Sequence, residues 1–229
     1  MWVNPLFHRD RTAALDFVGR NPFATIVGST PIQAAHLPVL LDDLNDPRYL
    51  IGHVPLVDPI VEQFRRGARV LAVFGGPAGY VSPAVMTGTA LPTYNFVAVH
   101  VTGSAEAIDD EEFLLDHLHA LTRAAEAAKS YEPQCAWSIR GAAAERAESL
   151  LEHIAAFRIE IDTVDAKFKL GQDKSVDDRS RIQHALAGSQ NANDRAVAAL
   201  MSANSRRCAT PETRTVRTTE SSAHPAVAD

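Results

Sequence analysis

The chain has 229 residues, of which 46% are hydrophobic and 22% are charged. This composition is typical of globular proteins and excludes disordered, collagen-like and disulfide-scaffold classes. The net charge of −6 does not favour binding to nucleic acid through a basic face. No apolar run approaches the roughly 20 residues of a membrane span, and no signal-peptide pattern is present. Cys135 and Cys208 form no CxxC pair, which predicts free thiols and a cytoplasmic protein.

The N-terminal part is predicted to form short strands with few helices between them. Asp10 is a good N-cap for a short helix that ends near Gly19 and Pro22. A second short helix begins at Asp58 and extends through Phe64. Glycines and a proline give residues 75–79 the composition of a turn. The predicted strands are residues 23–27, 34–41, 49–54 and 70–74, and a further strand starts at 80–82.

The longest β signal covers residues 93–108, where valines occupy alternate positions. Asp109 and Asp110 then cap a helix with one apolar stripe. The stripe consists of Leu114, Leu118, Leu121 and Ala125. Residues 157–162 alternate strictly, as a half-buried strand does.

Helices are predicted on both sides of this strand. A small helix covers residues 141–153, and a capping box at Ser175 opens another that carries Ile182 and Leu186. We further predict a short C-terminal helix over residues 191–202. Residues 203–229, rich in Ser and Thr, are predicted to be a disordered tail.

These elements favour a mainly β, or α+β, fold. About six strands follow one another mostly without an intervening helix, which indicates an antiparallel sheet rather than βαβ units. Six strands in about 170 residues predict a small six-stranded antiparallel barrel or a curved sheet, with peripheral helices. We expect residues 1–190 to form this domain.

Several common chemistries are absent from the sequence. There is no GxGxxG, Walker, HExxH or GxSxG motif. His117 and His119 are two residues apart on a predicted helix, so their side chains point to different faces and do not readily share a metal ion. We therefore predict no metal site, and no catalytic residue is evident.

Three segments carry more polar chemistry than a core needs. In residues 50–59 a strand leads into a helix N-terminus, where backbone N–H groups and His53 suit an anion. The alternative, which the residues favour, is a packed histidine and a helix capped by Asp58. In residues 92–101 the entry Thr93, Tyr94 and Asn95 offers a hydroxyl, an aromatic face and an amide to a planar ligand. The alternative is a strand with a polar start.

The third segment is residues 167–174. Lys167 and Lys169 share one face of an extended chain, with Phe168 and Leu170 on the other. Two ammonium groups with Gln172 beside them suit a phosphate or a carboxylate. The alternative is an edge strand protected by lysines.

Five motifs in one order resemble the PaiB family of FMN-binding negative transcriptional regulators. The resemblance spans about residues 1–190. The motifs are His36-Leu37-Pro38, Gly52-His53-Val54, Gly76-Pro77 with Tyr80-Val81-Ser82-Pro83, Pro92-Thr93-Tyr94-Asn95 with the strand to Gly103, and Lys167-Phe168-Lys169-Leu170-Gly171-Gln172.

The resemblance implies an FMN-binding split barrel, related to pyridoxamine-phosphate oxidases, that forms a homodimer with FMN at the subunit interface. Lys167 and Lys169 are the candidates for the phosphate charge, with His53 and the Val54 N–H as phosphate donors. Thr93, Tyr94 and Asn95 are expected to line the isoalloxazine ring. The further candidates are His36, Tyr80, Ser82 and Gln172. The chain departs from the family pattern at Asp58, Gly171 and Asp173.

Three functions follow as hypotheses. The first is a cytoplasmic, PaiB-type transcriptional regulator that acts through flavin or metabolite sensing. The second is a flavin-dependent oxidoreductase, such as a flavin reductase, although no acid–base pair is apparent and His100 lies on a buried strand. The third is direct repression at DNA, which the resemblance implies and the acidic charge does not support.

Overall fold

The computed structural model describes residues 1–129 and 136–209, and its side chains are described as far as Asn204. Cys135 and residues 210–229 of the predicted tail lie outside the described residues. The strands are β1 His8–Arg9, β2 Phe23–Ser29, β3 Ile32–Leu41, β4 Tyr49–Pro55, β5 Arg69–Val81, β6 Thr93–Ile108 and β7 Ile154–Lys169, and the helices are α1 Arg11–Arg20, α2 Val61–Arg65, α3 Glu111–Ala127, α4 Ala142–Glu148, α5 Val176–Ala187 and α6 Ala192–Ala209.

Six of the strands form a closed antiparallel ring. The order is β7-β4-β3-β2-β5-β6, and β6 pairs again with β7. Closure removes the exposed strand edges that an open sheet would present. The two-residue β1 is added outside the ring, against the last part of β7. The predicted six-stranded antiparallel split barrel with peripheral helices is therefore confirmed.

β6 has the predicted bounds, whereas β5 and β7 are much longer than predicted. β5 continues through Val81, so residues 75–79 do not form a turn and 80–82 is not a separate strand. The glycines instead sit at a β-bulge between Gly75 and Ala78, where β5 stays paired with β6. β7 is 16 residues long, because pairing with β6 supports its polar second half.

Three helices differ from the prediction, α3 in its buried face and the other two in their boundaries. α3 buries Leu114 and His117, and not the whole predicted stripe through Ala125, because it packs on the barrel mainly through its first turns. The helix predicted over 141–153 is α4 followed by a short 3₁₀ turn, Leu151–His153. α6 extends to Ala209, so the first seven residues of the predicted tail, 203–209, are helical. Within residues 1–129 and 136–209, no helix combines the length and the apolar character that crossing a membrane requires.

The core fills the barrel interior. Alternate side chains of each strand point inward, as the twofold repeat of a β-strand requires. The largest fully buried side chains of the strands and of α2 include Ile26, Leu50, Phe64, Phe74, Phe157 and Ile159. We call the opposite side of β2, β3, β5, β6 and β7 the outer face. One row of paired residues crosses it, consisting of His36, Thr25, Val73, His100 and Asp165.

Closure of the barrel requires a glycine where β6 meets β7. The register shifts between Thr102 and Gly103, and a Cβ on Gly103 would overlap the Glu160 carbonyl oxygen. We expect Gly103→Ala to lower the free energy of unfolding by at least about 2 kcal/mol, measured by urea denaturation. Gly75→Ala is the control, because a Cβ there meets nothing within 4 Å. Equal stability of the two variants would contradict this account of the bulge.

Candidate functional site

Two lysines near the end of β7 lie on the outer face beside β6. Lys169 is paired with Phe96 and Lys167 with Ala98. The Lys169 Nζ donates a hydrogen bond to the Thr93 hydroxyl. The Lys167 Nζ lies 5.7 Å from the centre of the Phe96 ring. The structure therefore joins the second and third predicted segments, which are more than 70 residues apart in sequence.

A pair of tyrosines continues this surface. Tyr80 on β5 is paired with Tyr94 on β6, and their ring centres are 5.6 Å apart at 65°. The two side chains are 50% and 55% exposed. Half-exposed rings beside a cationic cluster form a platform for a flat, anionic ligand. We call the surface of Tyr80, Thr93, Tyr94, Lys167 and Lys169 the lysine–tyrosine face.

Three predicted residues have other contacts. Asn95 points to the inner side, where it is buried and its Nδ2 lies 3.4 Å from the Met201 sulfur. Gln172 holds the chain after β7, because it accepts from the Leu170 N–H and donates to the Phe168 carbonyl. Ser82 accepts from the Ala84 N–H at 3.2 Å and so caps a 3₁₀ turn. These hydrogen bonds position the segments that carry the lysine–tyrosine face.

The electrostatics of Lys169 suit an anionic ligand. Burial lowers the pKa of Lys169, the neighbouring Lys174 and Lys167 lower it further, and Asp173 raises it. Asp173 itself is 2.9 Å from the Lys174 Nζ. A bound anion would stabilise the charged form of Lys169 and reverse the effect of burial.

His53 and Val54 lie elsewhere. The His53 Nδ1 is 3.2 Å from the Nε2 of His117 on α3, and Val54 is fully buried. Asp58 accepts from the Ile60 N–H at 2.9 Å. The structure thus agrees with the alternative interpretation of this segment, a packed histidine and an aspartate that satisfies a backbone N–H at the start of a helix. The sequence signal of residues 50–59 came from residue types alone. Residue types do not reveal that His117 of α3 contacts His53.

The separation of the two groups follows from the register. His53 is paired with Ala156, and Lys169 lies thirteen residues further along β7. At about 3.3 Å per residue this is roughly 40 Å of strand. Within one chain, His53 and Val54 therefore do not share a site with the lysines. His36 lies between the groups, exposed on the outer face, with its Nδ1 3.0 Å from the Thr25 hydroxyl.

Sequence reasoning missed several residues beside the lysines. The Trp2 ring lies 5.3 Å from the Lys167 Nζ, and the amino group of Met1 is 2.6 Å from Asp165. No local pattern indicated these contacts, because they depend on the pairing of β1 with β7. Phe96 and His100 had a signal, since they alternate with the buried valines of β6.

The closed ring of six antiparallel strands with peripheral helices defines a split-barrel protein. The "FAD and Heme binding protein" of Mycobacterium smegmatis has the same fold with a TM-score of 0.50 and 19% identity, over 79% of this chain and 78% of that one. The "Flavocytochrome Anf3" of Azotobacter vinelandii also gives 0.50, with 13% identity over 71% and 69% of the two chains.

Residues 1–163 match the family described as "Putative FMN-binding domain". "Protease synthase and sporulation protein PAI 2" of Bacillus subtilis (strain 168) is 30% identical over 189 residues, which cover 81% of this chain and 88% of that protein. The chain therefore belongs to this FMN-binding family, and the PaiB resemblance is confirmed. Its cofactor is a flavin, FMN by the family's description. Lys167 and Lys169 lie just beyond the residues that match the family.

The histidine pair predicts a pH dependence of stability. Burial lowers the pKa of His53, and burial with the nearby His53 lowers the pKa of His117 to about 4. The unfolded chain binds protons near pH 6.5 while the folded chain does not, so stability falls as the pH drops from about 6.5 towards 4. For one proton the slope approaches about 1.4 kcal/mol per pH unit.

We expect His117→Gln, which keeps a hydrogen-bonding group opposite His53, to be less sensitive to acid than the wild type. The measurement is the free energy of unfolding by urea at pH 7.5, 6 and 5. His119→Gln is the control, because it leaves the pair intact and should retain the wild-type slope. A slope unchanged by His117→Gln would show that the pair is not the source.

Proposed function

We propose that this protein is a cytoplasmic, homodimeric FMN-binding regulator of PaiB type, which acts negatively on transcription through flavin or metabolite sensing. One observation carries the proposal. The Lys169 and Thr93 side chains are hydrogen-bonded beside the exposed Tyr80 and Tyr94 pair, on the outer face of a split barrel whose family binds FMN.

The residues of the lysine–tyrosine face fit the two ends of FMN. Lys169 and Lys167 supply positive charge for the phosphate, and charge-assisted hydrogen bonds are the strong ones in proteins. Tyr80 and Tyr94 offer aromatic surface to the isoalloxazine ring. When bound, the flavin supplies a ring that accepts and releases electrons, while the protein residues bind and orient it. Asp165, the acid nearest to Lys167 on this strand, is already paired with the Met1 amino group.

The outer face also favours a homodimer. Phe23 and Ile32, at the β2–β3 end of this face, are 64% and 82% exposed. A second copy related by a two-fold axis would cover such residues and place groups of both chains around each flavin. His36 is the best-placed second contributor, because it is exposed on the outer face and accessible to a partner. We assign no phosphate role to His53, whose ring is already paired with His117.

A regulatory role has two supports. The B. subtilis relative is named for protease synthesis and sporulation, which are cellular programmes rather than a chemical reaction. The net charge of −6 argues for an indirect effect on transcription rather than contact with DNA. Flavin redox state or a bound metabolite would be the input.

The FMN site is tested by Lys169→Ala. We expect the dissociation constant for FMN to rise tenfold or more, because a charge-assisted hydrogen bond is worth about 1.5–3 kcal/mol. The measurement is quenching of flavin fluorescence on titration. Lys174→Ala is the control, since Lys174 is paired with Asp173, and it should change the constant by less than threefold.

Sedimentation of the same FMN complex tests the assembly. We expect the FMN complex to sediment with twice the mass of the 24.8 kDa chain. An unchanged dissociation constant for Lys169→Ala would remove Lys169 from the site. A monomer that binds FMN with full affinity would contradict the two-fold interface.

The regulator and the flavin-dependent oxidoreductase predict different rates of NAD(P)H oxidation and different effects on transcripts. If the protein is a regulator, the holoprotein should oxidise NADH and NADPH far more slowly than about 1 per second, a typical lower value for an enzyme. Cells that carry Lys169→Ala should show the transcript changes of a deletion strain, and cells with Lys174→Ala should not. Rapid NAD(P)H oxidation with unaltered transcripts would favour the oxidoreductase instead. Tight, salt-sensitive binding to promoter DNA would contradict the indirect mechanism.

A further inference from the structure

An open cleft lies between α1 and α6, on the opposite side of β7 from the lysine–tyrosine face. Its volume is about 480 Å³, which lies within the range of small-molecule sites. Phe17 comes from α1, Phe168 and Leu170 from the end of β7, and Leu200 from α6. We propose that this cleft is an effector site for small apolar carboxylic acids, and that its occupancy changes FMN affinity. The second part rests on the proposed flavin site.

A polar side chain lines this largely apolar cleft. Asn204, which is only 7% exposed, is among the lining residues. Among the side chains described as far as Asn204, no buried nitrogen or oxygen atom is left without a hydrogen-bond partner. An amide at the wall of the cleft can donate a hydrogen bond to a bound ligand or accept one from it.

The charges at the rim select an anion. Arg20 and Asp16 are paired at 2.5 Å and neutralise each other. The Arg9 guanidinium lies 5.9 Å from the centre of the Phe168 ring, and no carboxylate of the described part of the chain pairs with it. One unpaired cation above an aromatic floor suits a carboxylate attached to an apolar body.

The same strand connects the cleft to the proposed flavin site. Successive side chains of β7 point to opposite faces, so Phe168 and Leu170 face the cleft while Lys167 and Lys169 face outward. Phe168 also packs edge-on against Phe17, with ring centres 5.6 Å apart. A ligand that moves Phe168 would therefore displace the lysines on either side of it. Coupling between two sites is reciprocal, so FMN should alter carboxylate affinity by the same factor.

The first test measures binding to FMN-free full-length protein by calorimetry, with indole-3-acetate, benzoate and octanoate as probes. We expect at least one to bind with a dissociation constant below about 1 mM. For indole-3-acetate, the uncharged indole-3-acetamide should bind at least fivefold more weakly. Arg9→Gln should remove that difference between acid and amide.

Three substitutions on α6 test whether the probe binds in the cleft. Ala199→Phe fills the cleft and should abolish binding, whereas Ala192→Phe, at the exposed start of the same helix, should not. Asn204→Leu should weaken binding at least threefold, because it removes the amide that lines the cleft. An unchanged affinity would remove Asn204 from the site.

The second test repeats the FMN titration with and without the probe that binds. A change of twofold or more in the FMN dissociation constant, absent in Ala199→Phe, supports the effector role, and an unchanged constant overturns it. Failure of all three probes to bind overturns the site itself, whatever the protein does with FMN. If Ala199→Phe instead changes the mass of the protein assembly in solution, the cleft is a contact between two copies of the chain and the proposal is wrong. Failure of the FMN titration alone concerns the flavin site, because the first test uses no flavin.

Discussion

The pairing of β6 with β7 is the constraint on which the rest of the molecule depends. Both strands have 16 residues, and their pairing closes the ring that begins with β7 and β4. Because the side-chain repeat of a strand is two residues, a shift of β7 by one residue would move Lys167 and Lys169 inward and Phe168 outward. The bulge at Gly103 is the one place where the register changes along this pair. It lets the first half of β7 pair with both β4 and β6, while the second half continues past β4 and pairs with β6 and, near its end, with β1.

The extension gives the protein two different surfaces on one strand. On one side, Lys167 and Lys169 meet a tyrosine pair from β5 and β6. On the other, Phe168 and Leu170 form the floor of a cleft under α1 and α6. This back-to-back arrangement is the physical basis for the coupling proposed above, since one strand cannot be displaced on one face without moving on the other. The barrel core holds the first half of the strand in place, so a ligand in the cleft needs to perturb only its last residues.

His53 illustrates a contact that a local signal cannot show. A histidine at the end of a strand, just before a helix, is a reasonable anion donor, and nothing in residues 50–59 excludes that role. In the structure, the imidazole nitrogen that faces α3 already contacts His117. Asp58 behaves in the same way. Its carboxylate binds the Ile60 N–H, so the departure from the family pattern at this position has a local structural explanation.

The sequence by itself determined the strand-rich antiparallel class, the capped helices after Asp10, Asp110 and Ser175, and the family. These properties depend on residue periodicity and on contacts between near neighbours, which a linear chain displays. Tertiary structure alone decided that residues 75–79 continue β5, that Asn95 faces inward, and that Thr93 meets Lys169 while His53 does not. Such outcomes depend on which strands and helices pack together across 60 residues or more. Closure of the barrel makes that choice through the burial of one common core, and no local segment contains it.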